Sequence, residues 1–140
     1  MITETEIHVR STDMDADGIV NNARYFEYFE QGRLEHLVAI GVIQRPRPPG
    51  APSRSFTIAE TTCRYRQPSR HRDQLVVRTR VIEVRNRSFV LSYEVVRIDD
   101  GSLVAEGSSV QVWLDADGHP TPLDEMLRGL LTSARENSSA

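Results

Sequence analysis

Residues 55–114 hold four consecutive strand-length stretches in which polar and apolar residues roughly alternate, each closed by a turn signal. That run limits the chain to an antiparallel sheet, because short breaks leave no room for crossover helices. Ser55–Arg66 is broken by Gln67-Pro68-Ser69, and Gln74–Arg85 by the tight Asn86-Arg87 connection. Ser88–Ile98 ends at Asp99-Asp100-Gly101, and Ser102–Leu114 at Asp115-Ala116-Asp117-Gly118. Ahead of them, residues 2–12 set Ile2, Ile7 and Val9 against Glu4, Glu6, His8 and Arg10, which predicts another strand. Asp13–Gly18 is a polar breaker, and Asn21-Asn22 supplies a helix N-cap.

The spacing predicts a helix over Asn22–Ile40, with Phe26, Phe29, Leu37 and Ile40 near one stripe. Tyr25, Leu34 and Val38 widen the stripe, so this helix is expected to be buried on most sides, and Gly41 stops it. Residues 44–53 carry four of the seven prolines and form a loop. Residues 123–135 read as a short amphipathic helix, and the last five residues, Glu136–Ala140, as a frayed tail. The 140 residues therefore make a single domain of the α+β class, an antiparallel five-stranded sheet wrapped around one long central helix. One helix does not cover the edges and apolar surface of such a sheet, which predicts a homo-oligomer.

Composition excludes several classes. No apolar run reaches the length of about eighteen residues that spans a bilayer, so no membrane partner is expected. The first residues, Met1–Glu6, are acidic and lack a secretory core. The lone Cys63 has no disulfide partner, and His8, His36, His71 and His119 share no metal spacing, so the reading is a reduced, cytoplasmic compartment without a metal. Charge is uneven. Residues 1–36 hold eight acids and three Arg, whereas residues 64–97 hold nine Arg and three acids. Guanidinium forks suit phosphates, but aromatics at 6% and no recognised motif argue against nucleic acid.

The chemistry concentrates in residues 10–30, where three carboxylates lead into a glycine and the glycine into a helix start. A helix N-terminus offers unpaired N–H groups and partial positive charge, suited to an oxyanion developing on a carbonyl. A carboxylate beside it serves as nucleophile or general base. The Asp13-x-Asp15-x-Asp17-Gly18 spacing imitates the first half of an EF-hand loop, but the twelfth position is Arg24 instead of a bidentate Glu. Cys63 reads as a small buried hydrophobe and Trp113 as core.

The run Asp13-Met14-Asp15-Ala16-Asp17-Gly18-Ile19-Val20-Asn21-Asn22-Ala23-Arg24-Tyr25 resembles the opening motif of the 4-hydroxybenzoyl-CoA thioesterase branch of the hot-dog superfamily. Arg64–Pro68 with Asp73-Gln74-Leu75, Arg85–Phe89, and Asp99–Gly101 with Ala105-Glu106-Gly107 resemble its later signatures, so the likeness covers about residues 5–125. The resemblance implies a hot-dog fold and an acyl-CoA thioesterase with no cofactor beyond the coenzyme A of its substrate. It implies that Asp15 is the catalytic carboxylate, that the Asn22 backbone N–H is the oxyanion donor, and that Gly18 permits close approach. It places Glu30, Asn21 and Tyr25 at the substrate, and Arg85 and Arg87 at coenzyme A phosphates, often across a subunit boundary. It implies dimers with the site at the interface, paired into tetramers. Two positions depart from the pattern. Asp17 is acidic before the glycine, and Gln31-Gly32 replaces an acidic–alanine pair, so Gly32 either leaves room for the acyl chain or a strand or marks loose packing. The competing reading is a non-catalytic hot-dog module that binds acyl-CoA or acyl carrier protein.

Overall fold

Alternation along the chain becomes a single antiparallel sheet in the computed structural model, which describes residues 1–50 and 55–138. The strands are β1 (Thr3–His8), β2 (Phe56–Tyr65), β3 (Gln74–Val84), β4 (Ser88–Arg97) and β5 (Leu103–Trp113), ordered β1-β3-β4-β5-β2. The helices are α1 (Arg24–Ala39) and α2 (Glu125–Ser138). Every strand pairing is antiparallel, and the α+β layout is the one expected. Bulges fall at Ile58/Glu60, Val81/Glu83 and Val95/Val96. Each adds local twist and bends its strand, which curls the sheet around α1. Among the described residues no helix is long and apolar enough to cross a membrane.

Period two decides which residues meet the helix. Leu75, Val77, Thr79 and Val81 of β3 are buried, as are Phe89, Leu91, Tyr93 and Val95 of β4. Tyr25, Tyr28, Phe29, Gly32, His36 and Leu37 form the buried stripe of α1, and Phe29 stacks on Tyr93 with ring centroids 4.6 Å apart. Leu127, Leu131 and Ala134 do the same for α2 at helical spacing. Two glycines let α1 lie close. A Cβ on Gly32 would sit 2.6 Å from Thr79 Oγ1 and 2.8 Å from Val77 Cγ1, so a strand, and no acyl chain, fills that space. A Cβ on Gly107 would strike the Thr62 carbonyl and lie 2.7 Å from the Phe29 ring.

Three expectations need correction. The helix begins at Arg24, not Asn22, because the Asn21 side chain accepts the Ala23 N–H at 3.0 Å and its carbonyl accepts the Arg24 N–H at 2.9 Å. The two asparagines thus make a turn ahead of the helix. Nor is α1 buried on most sides within one chain: Phe26 is 40% exposed, and Glu27, Glu30, Gln31 and Glu35 beside it are exposed as well. The second helix does not end at residue 135, since α2 runs on to Ser138. Residues 139–140, and residues 51–53 of the expected loop, lie outside the described residues.

His36 is fully buried on α1, its Nδ1 2.8 Å from Thr3 Oγ1 and its Nε2 without a partner among the described residues. Burial disfavours the charged ring, and the chain's N-terminal ammonium adds repulsion, so its pKa falls from 6.5 to about 4. The unfolded chain therefore takes up a proton near pH 6.5 that the native state refuses until about pH 4. Stability is full above pH 6.5 and falls as pH drops through that window, by on the order of 3 kcal/mol for this one group. Urea denaturation from pH 7 to pH 4 should show this slope in the wild type and a flatter one in His36→Gln; parallel curves would refute it.

Candidate active site

Two stretches read Asp-Ala-Asp-Gly, and both fold into the same turn. In the first, the Asp15 N–H donates to the Ile19 carbonyl at 2.8 Å, and the Gly18 N–H donates to the Asp15 carbonyl at 3.2 Å. Asp15 Oδ1 accepts the Asp17 N–H at 2.8 Å and the Ile19 N–H at 3.4 Å. Residues 115–119 repeat the pattern, Asp115 Oδ1 accepting the Asp117 and His119 N–H groups at 2.9 and 3.0 Å. This is the Asx turn that aspartate side chains favour. Gly18 and Gly118 adopt φ of 78° and 83°, which explains glycine at that position. None of the described residues lies within 4 Å of where a Gly18 Cβ would be, so they make no close approach there.

The first turn differs from the second in what surrounds it. The Asn21 N–H donates to the Asp13 carbonyl and the Val20 N–H to the Ser69 carbonyl, both at 2.8 Å, which ties the turn to the β2–β3 connection. The Asn22 carbonyl accepts the Tyr25 N–H at 3.3 Å and the Tyr65 hydroxyl at 3.1 Å. Among the described residues the Asn22 N–H has no protein acceptor. Asn22 lines a cleft of about 290 Å³ with Ile19, Val20, Tyr25, Tyr65 and Arg66. The arrangement offers a free donor at the positive end of a 16-residue helix, beside a cleft. Asp15 is half-buried, and its Oδ2 has no hydrogen-bond partner among the described residues.

The three carboxylates have separate environments. Asp13 has no exposed surface, and it accepts the Arg10 N–H at 3.0 Å, the Arg10 guanidinium at 2.9 Å and the Tyr28 hydroxyl at 2.8 Å. Burial alone would push its pKa up, but these hydrogen bonds outweigh burial and hold the carboxyl below its usual range. Tyr28 is pushed far up by its own burial and by the same bond. Asp17 is exposed. Burial raises Cys63, which keeps it a thiol and removes a thiolate nucleophile from the cleft's surroundings. Asp115, Asp117 and His119 bring ligand atoms within 4.8 Å of one another. The histidine spacing gave no sign of this group, and it is exposed.

One chain does not gather the remaining candidates. Tyr25 is buried and lines the cleft, with its ring 5.5 Å from those of both Tyr28 and Tyr65. Asn21 is spent on the turn. Glu30 is exposed on α1 and is not part of the cleft lining. Arg85, paired with Glu83 at 3.0 Å, and Arg87 flank the β3–β4 turn. That turn lies at the end of the sheet away from Asn22, about 35 Å along an 11-residue strand. Tyr65 and Arg66 were missed as cleft residues; only their place just before the Pro68 turn hinted at a strand end beside the helix start.

The thioesterase-like superfamily matches residues 9–131. The chain is 27% identical over 129 residues to the acyl-acyl carrier protein thioesterase ATL3 of Arabidopsis thaliana, covering 89% of this chain and 65% of that one. It therefore spans under two thirds of that relative's length. It is 28% identical over 112 residues to the long-chain acyl-CoA thioesterase FadM of Escherichia coli, covering 80% and 83%. A Thermus thermophilus thioesterase solved with coenzyme A and Zn superposes with a TM-score of 0.80 at 26% identity, covering 95% and 94%.

The twin turns give a structural test. Asp15→Ala and Asp115→Ala each remove an Asx turn and should each cost about 0.5–1.5 kcal/mol in urea denaturation. Asp15→Asn keeps the accepting oxygen and should stay within about 0.5 kcal/mol of wild type. A larger loss in Asp15→Asn would mean that the carboxylate charge itself holds the turn.

Proposed function

The chain belongs to the thioesterase-like superfamily, and from that membership we propose that it hydrolyses an acyl-CoA thioester to the free acid and coenzyme A. The observation that carries this reading is the unclaimed Asn22 N–H at the start of α1, on the same turn–helix junction as a carboxylate with one free oxygen. The thioester carbonyl oxygen accepts the Asn22 N–H, and the helix charge favours the negative oxygen of the tetrahedral intermediate. Asp15 either attacks the carbonyl carbon, giving an anhydride that water opens, or takes a proton from an attacking water. On either route the C–S bond electrons leave with sulfur, and a proton ends on the thiol. Gly18 and Asn21 hold the turn, while Tyr25 shapes the cleft wall. The reaction consumes only water, and the Cys63 thiol suits a reducing cytoplasm.

The working unit is a dimer, with pairs of dimers as its larger form. β2 is an edge strand of ten residues with Ile58 and Tyr65 exposed, which invites a second copy. Antiparallel self-pairing of β2 sets one copy's β3–β4 turn at the same end as the other copy's Asn22. Arg85 and Arg87 then approach from across the interface to hold coenzyme A phosphates, with Glu30 near the acyl group.

Asp15→Asn should lower kcat by at least about 10²-fold in a thiol-release assay. Wild-type turnover in that variant would remove Asp15 from the mechanism. Arg87→Ala should raise KM for coenzyme A esters and leave pantetheine esters unaffected; equal effects on both would rule out a phosphate contact. Light scattering should return two or four times 15.9 kDa, since a monomer leaves the site incomplete.

A further inference from the structure

A larger cavity, of about 480 Å³, lies at the opposite end of β2 from the Asn22 cleft. Leu34, Val42, Phe56, Trp113, Leu127 and Leu130 give it apolar walls. Its volume is within the range of about 300–1,000 Å³ that encloses a small organic ligand. The carboxylate of Asp124, also at this cavity, is engaged by the Leu127 N–H at 2.8 Å, where it caps the start of α2. No sequence motif marks this place, and the proposed chemistry does not use it.

The edge strand relates the two openings. Phe56, the first residue of β2, lines the cavity, and Tyr65, its last, lines the cleft. Within one chain they are separated by the length of ten residues, about 30 Å. Antiparallel pairing of β2 with itself reverses the second strand, so that one copy's Phe56 end lies beside the other's Tyr65 end. A thioester carbonyl at the Asn22 N–H of one copy then has the apolar cavity of the other beside it.

We propose that this cavity receives, in trans, the aliphatic acyl chain of the thioester bound at the other copy's Asn22 cleft, and that it selects longer chains over short ones. This rests on the dimeric thioesterase reading above. Apolar walls reward each buried methylene, whereas an acetyl group ends before reaching them. Trp113 and Leu130 are the specificity-determining residues, one on the sheet and one on α2.

The test uses acetyl-, octanoyl- and palmitoyl-CoA with the full-length protein. Leu130→Trp, which fills the cavity, should lower the palmitoyl-to-acetyl ratio of kcat/KM by at least about tenfold. Trp113→Ala, which enlarges it, should raise that ratio. Thermal unfolding and size exclusion report whether each variant is folded and paired. Mixed dimers, co-expressed with two tags from Asp15→Asn and Leu130→Trp chains, then decide the trans arrangement. One site of the mixed dimer joins an intact Asp15 to the other chain's open cavity, so about half of the wild-type palmitoyl activity should return. An unchanged ratio in both single variants, or mixed dimers without palmitoyl activity, would overturn the cavity assignment while leaving the hydrolase intact. A wild type that releases thiol from no ester would remove the thioesterase reading and this inference with it.

Discussion

The buried carboxylate of Asp13 joins the turn to the helix, and the candidate site depends on that junction. A charge without solvent is costly unless every lone pair is used. Here the Arg10 backbone, the Arg10 guanidinium and the Tyr28 hydroxyl all donate to it. Tyr28 lies on α1, Arg10 just after β1, and the Asp13 carbonyl holds the Asn21 N–H. One residue thus fixes the strand end, the turn and the helix start relative to one another. Asp15 and Asn22 take their positions from Asp13, which itself has no surface for a substrate to touch.

The elements were largely legible in the sequence because burial on one face forces alternation, and alternation is visible without coordinates. Val77, Thr79 and Val81 face the helix while Arg78 and Arg80 face away. The start of α1 was less legible, because Asn21 can cap a helix or close a turn before one, and only the Asp13 carbonyl decides between them. Exposure of α1 was misjudged for a related reason: Phe26 lies in sequence register with the apolar stripe that Tyr25, Leu34 and Val38 widen, and only the sheet's position leaves it exposed.

The site was legible only in part. Asp-Ala-Asp-Gly encodes a turn wherever it occurs, and residues 115–118 make the same turn seven residues ahead of α2. Nothing local separates Asp15 from Asp115; the packing of Ser69 and Tyr65 around the first turn does. The cleft draws residues some forty positions apart, and the arginines expected at the phosphates sit at the far end of the sheet. The proposed site, drawn from opposite ends of one sheet, requires two copies, which no pattern along a single chain can display.

The sheet order makes the same point in three dimensions. The connection from α1 to β2 carries the chain across the sheet and leaves β2 as the rim next to β5. That rim has an opening at each end, one lined by tyrosines and one by Trp113 and leucines. A two-fold axis through its middle would turn two unlike openings into two equivalent composite ones.

The stand-off between α1 and the sheet is set by two absent methyl groups, at Gly32 and Gly107. Each lies where a carbon would collide with Thr79 or with the Phe29 ring. The helix therefore rests at the lowest height its neighbours allow, and any drift at either position can only raise it. Raising it would strain the junction that Asp13 makes between the turn and the helix start. The height of the helix start is thus calibrated by hydrogen atoms well inside the molecule, on residues with no chemistry of their own.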